Sequence, residues 1–173
     1  MMNIRTANNA DAETLALLSR VTYTESHGSY IENKTHLFNY ENEAFSVAKI
    51  TRELKDVNVI YDILYYNDFP VGYSKLILNA TNKNVVSKKP CCLERIYVLS
   101  DFIHLKAGRL LMEKAIEKAT QLSFDTLWLS VYKKNSRAIR FYEKNEFLNV
   151  GTVNFIVDGI SYENKVFTKK ITS

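Results

Sequence analysis

Leu127-Trp128-Leu129-Ser130-Val131-Tyr132-Lys133-Lys134-Asn135-Ser136-Arg137-Ala138-Ile139-Arg140-Phe141-Tyr142-Glu143-Lys144-Asn145-Glu146-Phe147 reads as a strand, a polar break and a short helix. The run Thr126 to Tyr132 is rich in β-branched and aromatic residues. Asn135 or Ser136 can cap the helix that runs to Asn145. Asn135, Ala138 and Tyr142 are spaced by three and four, so they share a helical face. Ala138 is small enough to let a ligand lie against the helix, and Tyr142 would point its hydroxyl at that ligand. The same spacing also describes an amphipathic helix whose Phe141 and Tyr142 only fill the core.

Upstream, Cys91–Leu99 is strand-like, with Ile96-Tyr97-Val98 as its centre, and a loop leads from it to Gly108. Gly108 to Leu122 carries a helical stripe of Leu111, Ala115, Ala119 and Leu122. A strand-loop-helix brings unpaired N–H groups and the positive end of a helix dipole to one point, which suits a pyrophosphate. Lys106 and Arg109 could add charge there. With one glycine, the same pattern is equally a plain connection.

Further out, Asn3–Thr6 predicts a first strand and Asp11–Tyr23 a helix capped by Asn9 or Asp11. His27–Asn42 is polar and aromatic, and its structure is left open. Glu43–Leu54 predicts a second helix, and Val59–Tyr66 and Tyr73–Leu78 a strand pair around the Asn67-Asp68 turn. Asn79–Pro90 is a loop. Val150–Val157 and Tyr162–Lys169 close the chain as a hairpin around Asp158-Gly159, a pair suited to a type I′ turn. This mixed order predicts an α/β (α+β) fold, a mainly antiparallel sheet with helices on its faces.

The 173 residues, 46% hydrophobic and 24% charged, suffice for a single domain with a real core and lie far from a disordered composition. The net charge of +4 fits an anionic ligand and equally fits none. The pairs Lys88-Lys89, Lys133-Lys134 and Lys169-Lys170 are dispersed, which speaks against nucleic acid. Neighbouring Cys91 and Cys92 match neither a disulfide nor zinc spacing, and His27, His36 and His104 form no metal pattern, so no metal is expected. No signal-peptide pattern and no membrane-length apolar run is visible, so the expectation is a reduced, cytoplasmic protein without membrane partners.

The strand-loop-helix and strand-helix segments resemble the two cofactor motifs of the GNAT (Gcn5-related) N-acetyltransferase superfamily. Within it the chain resembles bacterial spermine/spermidine N-acetyltransferases of the PaiA type. The features are Leu93-Glu94-Arg95-Ile96-Tyr97-Val98, Asn135 with the following Ala138-Ile139-Arg140-Phe141-Tyr142, and Gly151-Thr152-Val153-Asn154-Phe155. The resemblance implies a sheet of about seven strands, splayed at a cofactor cleft, over residues 1–173. It implies acetyl-CoA as co-substrate, lying between the strand ending at Val98 and the strand Thr126–Tyr132. Ile96, Tyr97 and Val98 would pair with the pantetheine through their backbones, like an added strand. Ile103, His104, Leu105, Lys106, Ala107, Gly108 and Arg109 would cradle the pyrophosphate. Asn135, Ala138, Tyr142 and Lys144 would complete the cofactor site.

The sequence departs from that pattern twice. The usual loop reads Gln/Arg-x-x-Gly-x-Gly/Ala, and Ile103, Lys106 and Gly108 stand at those positions, so Lys106 puts a Cβ where the family has glycine. Glu146 also stands where glycine is common, so a left-handed helix stop falls on Asn145 or is strained.

The implied reaction is direct attack of a neutral primary amine on the thioester. Tyr142 would hydrogen-bond to or protonate the leaving thiolate, and the Val98 N–H would meet the oxyanion. Glu94 is the candidate base; strand alternation puts it on a face with Ile96 and Val98, where it could equally be structural. The acceptor implied is a polyamine such as spermidine or spermine. Glu25, Glu32, Glu41 and Glu43 are either carboxylates of its groove or surface acids. The competing readings are a non-catalytic acyl-CoA sensor or regulator and an acetyltransferase for a protein or peptide amine. A homodimer through the C-terminal hairpin is open by analogy.

Overall fold

The computed structural model describes residues 1–171. The elements are β1 (Met2–Thr6), α1 (Ala12–His27), α2 (Lys34–Ala44), α3 (Val47–Leu54), β2 (Val59–Tyr66), β3 (Phe69–Leu78) and β4 (Pro90–Val98). They continue with α4 (Ala107–Gln121), β5 (Thr126–Tyr132), α5 (Ser136–Lys144), β6 (Leu148–Val157) and β7 (Ile160–Lys170). The strands form one seven-stranded sheet in the order β1-β2-β3-β4-β5-β7-β6. Every neighbouring pair is antiparallel except β4–β5.

Alternating residues feed two cores. Ile63 joins Leu15, Leu18, Ile50 and Tyr73 on the face covered by α1 and α3. Its neighbour Leu64 joins Val71, Ala107 and Leu111 under α4. The Asp158-Gly159 turn forms as the sequence predicts, with φ of 46° and 79°.

Three local readings change. Asp11 stands at the N-cap of α1 but makes no capping bond to that helix. A 3-10 turn, Asn9–Asp11, precedes α1 and is capped by Asn8, whose side chain accepts from Ala10 N–H at 2.9 Å while the Asp11 carboxylate accepts from Asn8 N–H at 2.7 Å. The helix expected over Glu43–Leu54 is two helices. The Ser46 hydroxyl accepts from Lys49 N–H at 3.2 Å and starts α3 afresh. The break turns Phe45, 0% exposed, into a core with Tyr23, Ile31 and Leu37. The third change is in β4. Lys75 pairs with Arg95 and Leu76 with Leu93, so Glu94 is an extra, bulged residue. The bulge overturns the simple alternation: Leu93 and Ile96 both pack on the α4 side. Glu94 instead meets Lys75, and Arg95 meets Tyr61, on the α1–α3 side.

Helix α5 ends in a Schellman motif, with Phe147 N–H donating to Tyr142 O at 3.1 Å and Glu146 N–H to Glu143 O at 3.0 Å. The left-handed residue is Glu146 itself, φ 64°, and not Asn145. Its exposed carboxylate meets Lys169 Nζ at 2.7 Å, a contact of small worth. Glu146→Gly relieves a Cβ clash worth roughly 1 kcal/mol and is expected to raise Tm by about 2 °C. A thermal melt with Tm unchanged or lowered would contradict this reading of the stop.

Candidate active site

The parallel pairing of β4 with β5 covers only Pro90↔Thr126, Cys91↔Leu127 and Cys92↔Trp128. Beyond it, β4 follows β3 to Gly72↔Val98, while β5 follows β7 to Tyr132↔Asn164. Gly72 permits this course: a Cβ there would stand 2.8 Å from the Tyr97 carbonyl oxygen and 3.1 Å from Val98 Cγ2. The strands therefore part and open a cleft of about 1720 Å³, walled by Ile96, Tyr97 and Val98 on one side and Ser130, Val131 and Tyr132 on the other. Leu99 N–H donates to Val71 O at 2.9 Å, so by alternation the N–H and C=O groups of Val98 and Ile96 point into the gap, and those of Tyr97 toward β3.

The 3-10 turn Ser100–Leu105 leads into α4 through Lys106, which takes the left-handed conformation, φ 61° and ψ 20°. The turn a glycine would make is thus made by a lysine, at a cost of roughly 1 kcal/mol. In the open first turn of α4, the N–H groups of Ala107 and Gly108 have no intrahelical acceptor and carry the positive end of the helix dipole. Ile103, Lys106, Gly108 and Arg109 line the cleft, whereas the Ala107 side chain is fully buried and has only its backbone to offer. His104 is exposed and, with Leu105, lies off the cleft wall. Gly108 faces α5 across the gap, its nearest neighbour the Phe141 ring 3.8 Å from where a Cβ would be.

On the opposite wall Asn135 Oδ1 caps α5, accepting from Ala138 N–H at 3.1 Å, which leaves Nδ2 as its donor toward the cleft. Ala138, Tyr142 and Lys144 line the same wall. The Tyr142 ring is wedged between Phe147 and Phe167, at centroid distances of 6.0 and 6.2 Å. Burial, aided by the nearby Cys92 thiol, pushes its hydroxyl above the ordinary tyrosine range, so it stays a protonated donor.

A parting of two parallel strands, roofed by a helix N-terminus, accepts an extended ligand that ends in an anion. The model of the Acetyltransferase (GNAT) family matches residues 21–147. The chain belongs to the GNAT acetyltransferase family. It is 26% identical over 132 residues to an uncharacterized N-acetyltransferase in the pepI 3′ region of Lactobacillus delbrueckii subsp. lactis, covering 76% of each chain. It is 23% identical over 150 residues to the spermidine N(1)-acetyltransferase of Thermoplasma acidophilum, covering 84% of this chain and 88% of that one. The fold superposes on the crystal structure of the PaiA N-acetyltransferase of Thermoplasma acidophilum in complex with coenzyme A. There the TM-score is 0.75 at 21% identity, covering 98% of this chain and 99% of that one. The GNAT chain is thus an acetyl-CoA-dependent N-acetyltransferase whose acceptor is an amine. Among the described residues no helix is long and apolar enough to cross a membrane, and no group of three or more His, Cys, Asp or Glu could hold a metal ion.

The rest of the cleft is framed by α1, α2 and the β6–β7 hairpin. Tyr23, His27, Tyr40, Glu43, Phe155 and Tyr162 face it. His27 stacks on Tyr23 at 4.4 Å and 11°, and burial lowers its pKa to about 4, so the ring is neutral near pH 7. Of the four carboxylates expected here, only Glu43 lines the cleft. Glu25 is turned to Ser100, accepting from its N–H at 2.9 Å and its hydroxyl at 2.8 Å. Glu41 is buried and accepts from the Thr24 hydroxyl at 2.5 Å, and Glu32 lies outside the cleft.

Glu94 lines the cleft as part of a polar ring created by the bulge. Its carboxylate meets Lys75 Nζ at 2.6 Å, and Lys75 also binds Glu53 at 2.9 Å. Glu53 accepts from the Tyr61 hydroxyl at 2.5 Å, that oxygen accepts from Arg95 Nη1 at 3.3 Å, and Arg95 Nε returns to Glu94 at 3.7 Å. Sequence reading passed over Arg95, Lys75, Tyr40 and His27. The one available signal was a pair of cations, Lys75 and Arg95, inside otherwise apolar strands.

Proposed function

We propose that the chain acetylates a primary amine by direct attack on the thioester of acetyl-CoA, without an acyl-enzyme. The observation that carries this is the gap beside β4, where the Val98 and Ile96 backbone groups face Asn135 and Tyr142. Ile96 and Val98 would hold the pantetheine arm, with Asn135 Nδ2 donating to it from the other side. Ala107 and Gly108 N–H, with Lys106 and Arg109, would hold the pyrophosphate, and His104 and Leu105 would shape their turn. Val98 N–H would meet the oxyanion. The Tyr142 hydroxyl would hydrogen-bond to the departing thiolate. A thiol titrates near 8.5 and burial has raised the tyrosine, so complete proton transfer is uphill and hydrogen bonding is the favoured role. Glu94, already paired with Lys75, would orient the ammonium and receive its proton through water.

Two acceptor classes are supported by separate observations. A polyamine is supported by the likeness to the Thermoplasma spermidine enzyme and by Glu43, Glu94 and the tyrosine rings as partners for ammonium groups. An amine that also bears a carboxylate or carbonyl is favoured by Arg95, a buried guanidinium lining the same wall. Release of CoA-SH from acetyl-CoA, screened with spermidine, spermine, diamines, amino acids and peptides, tests the transfer. Turnover with at least one amine is expected. Acetyl-CoA binding without turnover on any of them would make the chain a sensor instead.

A further inference from the structure

We propose that Arg95 reads an oxygen of the acceptor, a carboxylate or carbonyl placed beside the amine that is acetylated. This rests on the acetyl-transfer reading and selects the second of the two acceptor classes. Arg95 is only 8% exposed, yet it lines the cleft. A guanidinium has five N–H donors. Among the described residues Nη1 donates to the Tyr61 hydroxyl at 3.3 Å and the guanidinium also donates to the Tyr40 hydroxyl, which leaves further N–H donors unmade. Glu94 stands 3.7 Å from Nε, beyond hydrogen-bond reach, and its carboxylate is held by Lys75 at 2.6 Å. The guanidinium lies over the Phe45 ring at 4.8 Å, which fixes its plane. A buried cation with donors unmade is costly, and the cleft is where an acceptor for them can enter. A planar pair of oxygens matches that fork. The Tyr40 hydroxyl oxygen accepts from Arg95; burial pushes this hydroxyl up, partly offset by the guanidinium, so it keeps its own proton to donate at the same place.

The charges of the wall agree. Its cations are Arg95 and Lys49 and its anions Glu43 and Glu94, the latter paired with Lys75 at 2.6 Å, while Asp158 is engaged by His36 at 2.6 Å and Asn39 at 3.1 Å. A polycation finds Glu43 and Glu94 there but also meets two like charges, Arg95 and Lys49. A molecule with one amine and one carboxylate sets each end against its opposite.

The test compares leucine, leucinamide and isopentylamine, which share a side chain, together with spermidine, in wild type, Arg95→Gln and Arg95→Lys. In the wild type, kcat/KM for leucine or leucinamide should exceed that for isopentylamine and spermidine by about 100-fold. Leucine ahead of leucinamide identifies a carboxylate; equality identifies a carbonyl, as at a peptide N-terminus. Arg95→Gln should bring the ratio close to 1. Acetyl-CoA affinity reports that each variant is folded. Should the glutamine variant not fold, the lysine variant decides: an ammonium cannot make the planar pair, so its ratio should fall by about 10-fold. Equal wild-type use of isopentylamine or spermidine overturns the proposal, as does an equal loss on every acceptor, which marks a structural role. If no acceptor turns over although acetyl-CoA binds, the transfer reading falls alone. Calorimetry of leucine and leucinamide on the CoA-loaded protein then decides. Binding that Arg95→Gln abolishes supports the subsite; no wild-type binding, or binding that survives the substitution, overturns it.

Discussion

Tyr142→Phe is expected to lower kcat about 100-fold, the scale of losing one donor aimed at developing negative charge. The affinity for acetyl-CoA should change less than threefold or so, because the hydroxyl is proposed to act on charge that exists only as the thiolate leaves. The ring itself is held by Phe147 and Phe167, so the substitution leaves the packing of α5 on β7 in place. Since the hydroxyl titrates above its ordinary range, the loss should be uniform from about pH 6 to pH 9. Steady-state kinetics alongside a binding titration checks this. Equal kcat in the variant would remove Tyr142 from the mechanism, and a parallel loss of affinity would make it a binding residue.

Gly72→Val is expected to damage the cleft from outside it. A Cβ at Gly72 would sit 2.8 Å from Tyr97 O, 3.1 Å from Val98 Cγ2 and 3.3 Å from Leu111 Cδ1. The first of these is backbone and cannot rotate away. Either β3 withdraws from β4, or β4 is pushed toward the gap, and in both cases the Val98 N–H is displaced. Overpacking of this kind costs about 1–3 kcal/mol, or roughly 5 °C in Tm for a chain of this size. Acetyl-CoA should bind at least about 10-fold more weakly, and kcat should fall further still, because misplacing a donor by about 1 Å is enough to cost two orders of magnitude. Thermal melts and acetyl-CoA titration measure both effects. Unchanged affinity in a folded variant would show that the position of Val98 is not set by this close approach.

The strand-helix segment from Thr126 to Lys144 was legible because its information is local: β-formers, a cap residue and a helical stripe lie next to one another in sequence. The same is true of α4 and of the Asp158-Gly159 turn. What was not legible depends on partners distant in the chain. The bulge at Glu94 exists only in register with Lys75 and Leu76, so no pattern within β4 announces it. It moved the candidate base to the other face of the sheet. Glu25 looked like an acceptor carboxylate, but its partner Ser100 is 75 residues away. Glu41 was likewise consumed by Thr24 on the neighbouring helix. The two departures from the family pattern, Lys106 and Glu146, were visible as residue types. Their outcome was decided by the need for a left-handed turn at each place, which the chain makes despite the Cβ.

The central claim is that the backbone edge of β4, opened where β5 parts from it, receives the pantetheine arm of acetyl-CoA while the first turn of α4 receives its phosphates. Titration of acetyl-CoA followed through the backbone amide resonances tests it most directly. The account predicts saturation at one molecule per chain, with a Kd between about 1 µM and 1 mM, and the largest shifts at Ile96, Val98, Ala107 and Gly108. No shift up to millimolar acetyl-CoA, or shifts confined to residues outside the gap between β4 and β5, would contradict it.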